Sequence, residues 1–234
     1  MIKNKKVKIT ELGFLPYSEA WDIQEKYFSN TISVKRQNGE LASPIFTENH
    51  LLLVEHPPVF TLGKSGKMEH LLLEEHVLKS KGIEFFKTNR GGDITFHGPG
   101  QLVGYPILDL DNFFTDIHKY LRYLEEIIIK TLFDFGLNTS RGNGETGVWL
   151  DLNTPFARKI CAMGVRASRW VTMHGFALNI NTDLSYFDYI VPCGIKGKKV
   201  TSLSKELNKQ VDPELVKASL LKYFSEIFEV EFIN

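Results

Sequence analysis

The chain has 234 residues, of which 43% are hydrophobic and 24% charged, a composition typical of folded globular domains and unlike that of disordered or fibrous chains. Its 28 basic residues balance its 28 acidic residues, so the basic excess usual in nucleic-acid-binding proteins is missing. The two cysteines are too few for a disulfide framework, and no apolar run reaches the ~18 residues of a membrane span. We therefore expect a cytoplasmic protein with free thiols that binds neither nucleic acid nor membrane.

Helices and strands are intermixed in the first half of the chain. A first helix is predicted from the N-cap candidate Ser18 to about Ser33, and a shorter one over residues 69–80. Short apolar runs bounded by glycine and proline predict strands over 51–54, 94–96 and 102–103.

The second half follows the same plan. Its best-patterned helix spans 116–135, where apolar residues recur at helical spacing and Gly136 ends the run. Asp212-Pro213-Glu214 supplies the N-cap, the first-position proline and the first-turn acid of another helix. Strands are predicted over 148–150, 159–165 and 176–180. This mixture predicts one α/β (α+β) domain over residues 1–234, built on a mixed sheet.

A glycine-rich block at residues 90–101 is the first candidate for a ligand site. Glycine clusters on both sides of a predicted strand let the backbone approach a ligand and leave amide N–H groups unshielded. The block also carries Arg90, Asp93, Thr95, His97 and Gln101. The alternative is a pair of tight turns around an edge strand, with these polar side chains in solvent.

A second block, residues 158–166, places a lysine on an otherwise apolar strand. Strand alternation predicts that Lys159, Cys161 and Met163 share one face and that Ile160 and Ala162 share the other. Such a lysine either extends to water or is held at a site.

Cys193 is the candidate nucleophile. It lies between Pro192 and Gly194, and a turn is a poor place to bury a cysteine. A thiol in that position becomes nucleophilic when a nearby cation stabilises its thiolate. Cys161, in contrast, has the surroundings of a buried small hydrophobe.

Two other patterns argue against cofactor and metal sites. Gly142-Asn-Gly144-Glu-Thr-Gly147 matches the dinucleotide fingerprint, but a polar stretch precedes it and a strand-like segment follows it. The sequence has no His-Glu-x-x-His and no paired Cys-x-x-Cys, so we predict no metal site.

Taken together, these blocks resemble the octanoyltransferases of lipoate biosynthesis, the lipoyl(octanoyl) transferase family. The resemblance extends from His56-Pro-Pro to Val200-Thr-Ser-Leu203 and so covers most of the chain. Its most specific part is Arg-Gly-Gly followed by Thr-Phe-His-Gly-Pro-Gly-Gln, within residues 90–101. The interval of 34 residues from Lys159 to Cys193 also agrees with the catalytic pair of the family.

The resemblance implies transfer of an octanoyl group from the phosphopantetheine thioester of acyl carrier protein to a lysine of a lipoyl domain. Such domains belong to 2-oxo acid dehydrogenases and to the glycine cleavage H protein. The family's nucleophile falls on Cys193 and its activating lysine on Lys159, and no cofactor is required. Its substrate-binding segments fall on Arg90, Gly91, Gly92, Asp93, Ile94, Thr95, Phe96, His97, Ala162, Met163, Gly164, Gly175, Phe176 and Ala177. The implied fold is that of biotin and lipoate protein ligases, a mixed sheet flanked by helices.

Three other functions remain open on the sequence. A lipoate or biotin protein ligase of the same fold would activate a free acid with ATP and would not need Cys193. A thiol hydrolase would pair Cys193 with His174 or His97. A non-catalytic protein would only bind acyl carrier protein.

Overall fold

The computed structural model describes residues 3–40, 42–142, 144–191 and 199–233. These residues form a nine-stranded mixed sheet, a three-stranded sheet and five helices. The large sheet comprises β1 (Lys6–Phe14), β2 (Asn49–Glu55), β6 (Gln101–Ile107), β7 (Ser140–Arg141), β8 (Val148–Leu150), β9 (Arg158–Ser168), β10 (Val171–Asn179), β11 (Lys199–Val200) and β12 (Glu231–Ile233). The small sheet comprises β3 (Val59–Leu62), β4 (Glu84–Lys87) and β5 (Ile94–His97).

The large sheet has the strand order β12-β1-β2-β6-β10-β9-β8-β7, and β11 pairs with β9. The contacts of β1 with β2 and β12, and of β9 with β11, are parallel, whereas the centre of the sheet is antiparallel. The predicted mixed sheet is therefore confirmed. The predicted strands coincide with β2, β5, β6, β8, β9 and β10.

Helices cover both faces of this sheet. They are α1 (Tyr17–Asn38), α2 (Glu75–Ser80), α3 (Ile117–Asp134), α4 (Leu203–Leu207) and α5 (Pro213–Phe228). The largest apolar core lies between one face and helices α3 and α5, and a second core lies between the other face and α1. Among the described residues no helix is long and apolar enough to cross a membrane.

The two best-patterned helices begin where the sequence predicts. The Asp116 carboxylate accepts hydrogen bonds from the backbone N–H groups of His118 and Lys119 at the start of α3. The Asp212 carboxylate accepts one from Glu214 at the start of α5, with Pro213 in the first turn. Both caps satisfy N–H groups that have no partner within the helix.

Two helix predictions are wrong in detail. Helix α1 begins after Pro16 without a side-chain cap, so Ser18 is not its N-cap, and it continues to Asn38 rather than ending at Ser33. Residues 69–80 do not form one helix, because the backbone at Leu71 and Leu72 bonds to residues 189–190 instead. A 3-10 turn at Met68–His70 and the short helix α2 remain.

Candidate active site

A cavity of about 600 Å³ lies between the β9–β10 face of the large sheet and the 90–94 loop. Lys159 lines it, as does every residue of the predicted substrate-binding set except one: Arg90, Gly91, Gly92, Asp93, Ile94, Thr95, His97, Ala162, Met163, Gly164, Gly175, Phe176 and Ala177. The exception is Phe96, which is buried in the core of the small sheet, where its ring stacks on Tyr186 at 4.5 Å. The side chain of Phe96 thus packs away from the cavity that the other members of the set line.

Glycines make room for the wall of the cavity. A Cβ atom on Gly175 would lie 2.1 Å from the Gly104 carbonyl oxygen, so only glycine permits the approach of β10 to β6 here. The Phe176 ring lies over Gly104, whose Cβ would be 2.2 Å from that ring. The missing side chains at Gly104 and Gly175 let two strands and one aromatic ring pack closely, and this packing shapes the cavity wall.

The glycine-rich loop is attached firmly to β9. The Gly91 N–H donates to the Val165 carbonyl oxygen at 2.9 Å. The buried Arg90 guanidinium donates to the backbone oxygen of Thr61 at 2.7 Å and to its hydroxyl oxygen at 2.9 Å. The loop thus presents a fixed positive charge to the cavity, as expected for a ligand site rather than for a solvated turn.

A hydrogen-bonded relay links the loop to the strand that carries Lys159. Nδ1 of His97 donates to the Gln101 side-chain oxygen at 2.9 Å, and the Gln101 amide donates to the Asn179 side-chain oxygen at 2.9 Å. The Asn179 amide in turn donates to the Thr201 carbonyl at 3.0 Å, and the Thr201 N–H donates to the Lys159 carbonyl at 2.9 Å. This network fixes the relative positions of β5, β6, β10 and β9.

Three histidines in and beside this wall, His56, His97 and His174, are neutral. Burial lowers the pKa of His56 to about 4 and that of His174 to about 3, and it lowers the pKa of His97 well below the ordinary value. Burial also raises the pKa of Tyr105, whose hydroxyl donates to Nε2 of His56 at 2.8 Å. These histidines and Tyr105 therefore offer polar atoms without charge, beside the charged guanidinium of Arg90.

His174 has a strained backbone, with a φ of +58° in the middle of β10. Its N–H donates to the side-chain oxygen of Gln24 at 3.1 Å, and its Nε2 lies 2.7 Å from the Asn89 side-chain oxygen. These two partners on other segments hold the conformation, and strain of this kind is concentrated at functional sites.

Lys159 is half-buried at the other end of the cavity. Its Nζ donates to the Thr146 carbonyl at 3.3 Å and lies 4.6 Å from the centre of the Trp149 ring. The ammonium is therefore held at the site rather than extended into solvent, which decides the question that the sequence left open.

Cys161 lies close to Lys159 in sequence but belongs to the main core. A register shift between β8 and β9 interrupts the alternation, so that Ile160 and Cys161 are both buried in the same core cluster. The predicted separation of these two residues onto opposite faces is thus wrong. Burial also raises the pKa of the Cys161 thiol far above its ordinary value, which makes it a poor nucleophile.

Cys193 lies outside the described residues, but the segments that flank it border the cavity. The Val191 N–H donates to the His70 carbonyl at 2.8 Å on one side. On the other side Val200 is the register partner of Lys159 and lines the cavity.

Sequence reasoning missed several residues of the site. Tyr17, His70, Tyr105 and Thr146 line the cavity, and none of them was among the predicted site residues. Nδ1 of His70 lies 2.7 Å from an Asp93 carboxylate oxygen, at ion-pair distance but without the alignment of a hydrogen bond. The described residues contain no group of three or more histidine, cysteine or acidic side chains suited to a metal ion.

Comparison with known proteins gives concordant results. A family model described as Lipoyl protein ligase A/B catalytic domain matches residues 16–225. An octanoyltransferase of Christiangramia forsetii is 63% identical to the chain and covers 97% of it and 98% of its own length. An octanoyltransferase of Flavobacterium johnsoniae is 59% identical, with coverages of 98% and 100%.

In fold, the chain is similar to a bi-partite lipoate protein ligase from Thermoplasma acidophilum. The TM-score is 0.70 at 16% sequence identity, and the alignment covers 99% of this chain and 86% of the other. At this identity the likeness concerns the fold alone. It confirms the predicted arrangement of a mixed sheet with flanking helices, as in lipoate protein ligases.

Proposed function

The chain belongs to the lipoyl protein ligase A/B catalytic-domain family, and we propose that its octanoyl transfer proceeds through an acyl-enzyme on Cys193. The chain is an acyltransferase of protein lipoylation, since relatives at 59–63% identity over nearly the full length are octanoyltransferases. Its acceptors are lipoyl-domain proteins. The donor in our proposal is octanoyl-acyl carrier protein, the acceptors are the lipoyl domains of 2-oxo acid dehydrogenases and the glycine cleavage H protein, the compartment is the cytoplasm, and no cofactor takes part.

Lys159 enters a cavity whose wall is largely apolar, and this juxtaposition is the observation that carries the proposal. The apolar part of the wall includes Ile94, Val103, Ala162, Met163, Phe176 and Ala177. An eight-carbon chain buried there would gain roughly 5 kcal/mol, at about 0.8 kcal/mol for each methylene removed from water. The cavity thus suits an acyl chain that has a reactive carbonyl close to a cation.

The proposed reaction has two steps. In the first, the Cys193 thiolate attacks the thioester carbonyl, the carbon–sulfur bond to phosphopantetheine breaks, and the departing thiolate takes a proton from the Lys159 ammonium. In the second, the neutral amine of the acceptor lysine attacks the acyl-enzyme and loses a proton to Lys159. An amide forms and Cys193 leaves as a thiolate, so the enzyme returns to its starting state. Conversion of a thioester to an amide is downhill in free energy, and the exchange therefore needs no ATP.

The electrostatics of the cavity favour Lys159 over a histidine as the partner of Cys193. Burial keeps His97 and His174 neutral, and each has a ring nitrogen beside an amide oxygen of Gln101 or Asn89. A neutral histidine can accept a proton, but it cannot supply the positive charge that stabilises a resting thiolate. The neutral state of both histidines therefore disfavours a thiol hydrolase that pairs Cys193 with His97 or His174.

Intact-protein mass spectrometry tests the proposal. The protein is mixed with octanoyl-acyl carrier protein without ATP and then digested to locate any adduct. We expect an octanoyl group on Cys193 that disappears when a lipoyl domain is added, because the acyl-enzyme is an intermediate. Cys193→Ser should lose the adduct, whereas Cys161→Ser, which changes the buried thiol, should keep it.

Two outcomes would overturn the proposal. An adduct on Cys161 alone, or no adduct at all, would remove Cys193 from the reaction. Labelling of the lipoyl domain by free octanoate and ATP, with no transfer from the carrier protein, would identify an ATP-dependent ligase instead.

A further inference from the structure

A buried glutamate lies behind Lys159, on the helix that covers this end of the cavity. Glu125 of α3 has no solvent-exposed surface. One carboxylate oxygen accepts the Gly147 N–H at 3.0 Å, and the other lies 2.7 Å from the Arg122 guanidinium. A fully buried carboxylate is costly unless it is hydrogen-bonded and paired with a cation, and the Gly147 N–H and Arg122 supply these contacts to Glu125.

One peptide group connects this carboxylate to Lys159. The Thr146 carbonyl, which accepts from Nζ of Lys159 at 3.3 Å, and the Gly147 N–H, which donates to Glu125, belong to the same peptide unit. In a trans peptide these two groups point in opposite directions, so the unit lies between the carboxylate and the ammonium. Its dipole is aligned favourably with both charges.

Only glycine permits the backbone geometry at position 147. Its φ of +119° is strained for any residue with a side chain. A Cβ atom there would also lie 2.6 Å from the Cys161 carbonyl and 3.4 Å from Cε of Lys159. The turn is therefore shaped closely around the lysine side chain, and Glu125 is the anchor of that turn.

We propose that Glu125 is a positioning residue that holds Lys159 at the cavity through the Thr146–Gly147 peptide. The proposal rests on the proposed function, since it gives Glu125 a role only through the role of Lys159. Burial raises the pKa of Glu125, while the Gly147 N–H and the charges of Arg122, Arg141 and Lys159 act to lower it.

Other charged or titratable groups surround the connection from Glu125 through the Thr146–Gly147 peptide to Lys159. They are Arg122 and Glu126 on α3, Arg141 on β7, Glu145 in the following turn and Cys161 on β9. The more exposed of these groups carry charges of both signs, whereas Glu125 is a buried negative charge.

Glu125→Gln tests the proposal, because it keeps a hydrogen-bond acceptor for Gly147 but removes the negative charge. The measurement is the rate constant of Cys193 acylation by octanoyl-acyl carrier protein across pH. Removing a negative charge lowers the pKa of neighbouring acids. The rising and the falling parts of the profile of rate against pH should therefore both shift to lower pH, by roughly half a pH unit or more. The KM for the carrier protein should stay unchanged.

Glu126→Gln is the matched control. Glu126 is the next residue on the same helix, but it is about one-third exposed and pairs with Arg141 at the surface. Solvent screens such a pair, so this variant should keep the wild-type pH profile. Limbs that do not move in Glu125→Gln, or that move equally in both variants, would overturn the proposal.

Glu125→Asp provides the test should the glutamine variant fail to fold. It keeps the charge, but its carboxylate is one methylene short of the Gly147 N–H. Loss of positioning should then slow acylation about threefold or more. An unchanged rate would overturn the proposal. The proposed function fails separately, if wild-type protein forms no adduct on Cys193.

Discussion

The two ends of the cavity are built on opposite electrostatic principles. At one end lie His97, His174 and Tyr105, with His56 behind them, and burial keeps all of them uncharged. At the other end Lys159 lies near Glu125, Arg122 and Arg141. Val165 on β9 is the register partner of His174 on β10, and it lies six residues after Lys159. The two ends are therefore about 20 Å apart along β9.

The difference teaches how one cavity can combine a binding wall with a reactive centre. Neutral hydrogen-bonded side chains give a rigid surface that an acyl chain or an amide can contact without competing charges. A thiolate and a proton-transfer group, in contrast, need ions nearby. At the histidine end the buried cation of Arg90 is paired with the oxygens of Thr61, and the other polar groups stay uncharged, which limits the desolvation cost there.

The largest expected effect follows from removing the cation at the charged end. Lys159→Ala should slow Cys193 acylation about 100-fold or more, because general acid–base groups contribute factors of this size. The fold should remain, since the side chain is only half-buried. Single-turnover mass spectrometry measures the rate, and circular dichroism checks the fold.

Lys205→Ala is the matched control for that prediction. Lys205 is an exposed lysine of α4, the helix that follows β11 in the chain. Its removal should leave the acylation rate unchanged. Full activity of Lys159→Ala at neutral pH would mean that the charged end is not the reactive one, and the comparison would fail.

A smaller effect is expected where the neutral wall depends on shape. Gly175→Ala would bring a methyl group to 2.1 Å from the Gly104 carbonyl, so β6 and β10 must separate. Overpacking of this kind costs roughly 2–3 kcal/mol, or about 4–12 °C in melting temperature for a chain of this size. Thermal unfolding measures it.

Gly91→Ala provides the contrast for Gly175→Ala. Its added methyl would meet its nearest neighbour, the Val165 carbonyl, at an ordinary contact distance of 3.5 Å. The melting temperature should then change little. If the two variants melted alike, the close approach of β6 and β10 would not constrain the wall.

The sequence was informative where local chemistry determines the structure. The amphipathic pattern of α3 and its Asp116 cap could be read directly, because the helical period and the cap are local properties. The glycines at 91 and 92 pointed to the cavity, since glycine in a tight turn signals close approach, whereas Gly164 and Gly175 were assigned to it only through the family resemblance.

Other residues of the site could not be identified from the sequence. Glu125 was missed although it lies four residues after Leu121 and three before Ile128, at the edge of the apolar stripe of α3. Glu126 lies on the opposite face, so the helical spacing already separates the two glutamates, whereas the buried contacts of Glu125 appear only in the tertiary structure. Phe96 has a neighbour on each side in the cavity, but strand alternation turns it toward another core. Residues 69–80 have helical periodicity, yet pairing with residues 189–191 replaces the helix around His70.

The last effect is spread over a range of pH, at no more than about 1.4 kcal/mol for each pH unit, and concerns protonation of the neutral histidines. His56 has its pKa lowered to about 4, below the value of about 6.5 expected for an unfolded chain. The unfolded state then binds more protons between these values, so stability is full above pH 6.5 and falls as the pH drops toward 4. A single such histidine contributes a slope of about 1.4 kcal/mol per pH unit in this window.

The variant His56→Asn isolates this contribution. Denaturant unfolding at several pH values should show a flatter pH dependence than in the wild-type protein, by about 1.4 kcal/mol per unit between pH 6 and pH 4. An unchanged slope in His56→Asn would mean that this histidine is not held neutral, and the contrast between the two ends of the cavity would lose its physical cause.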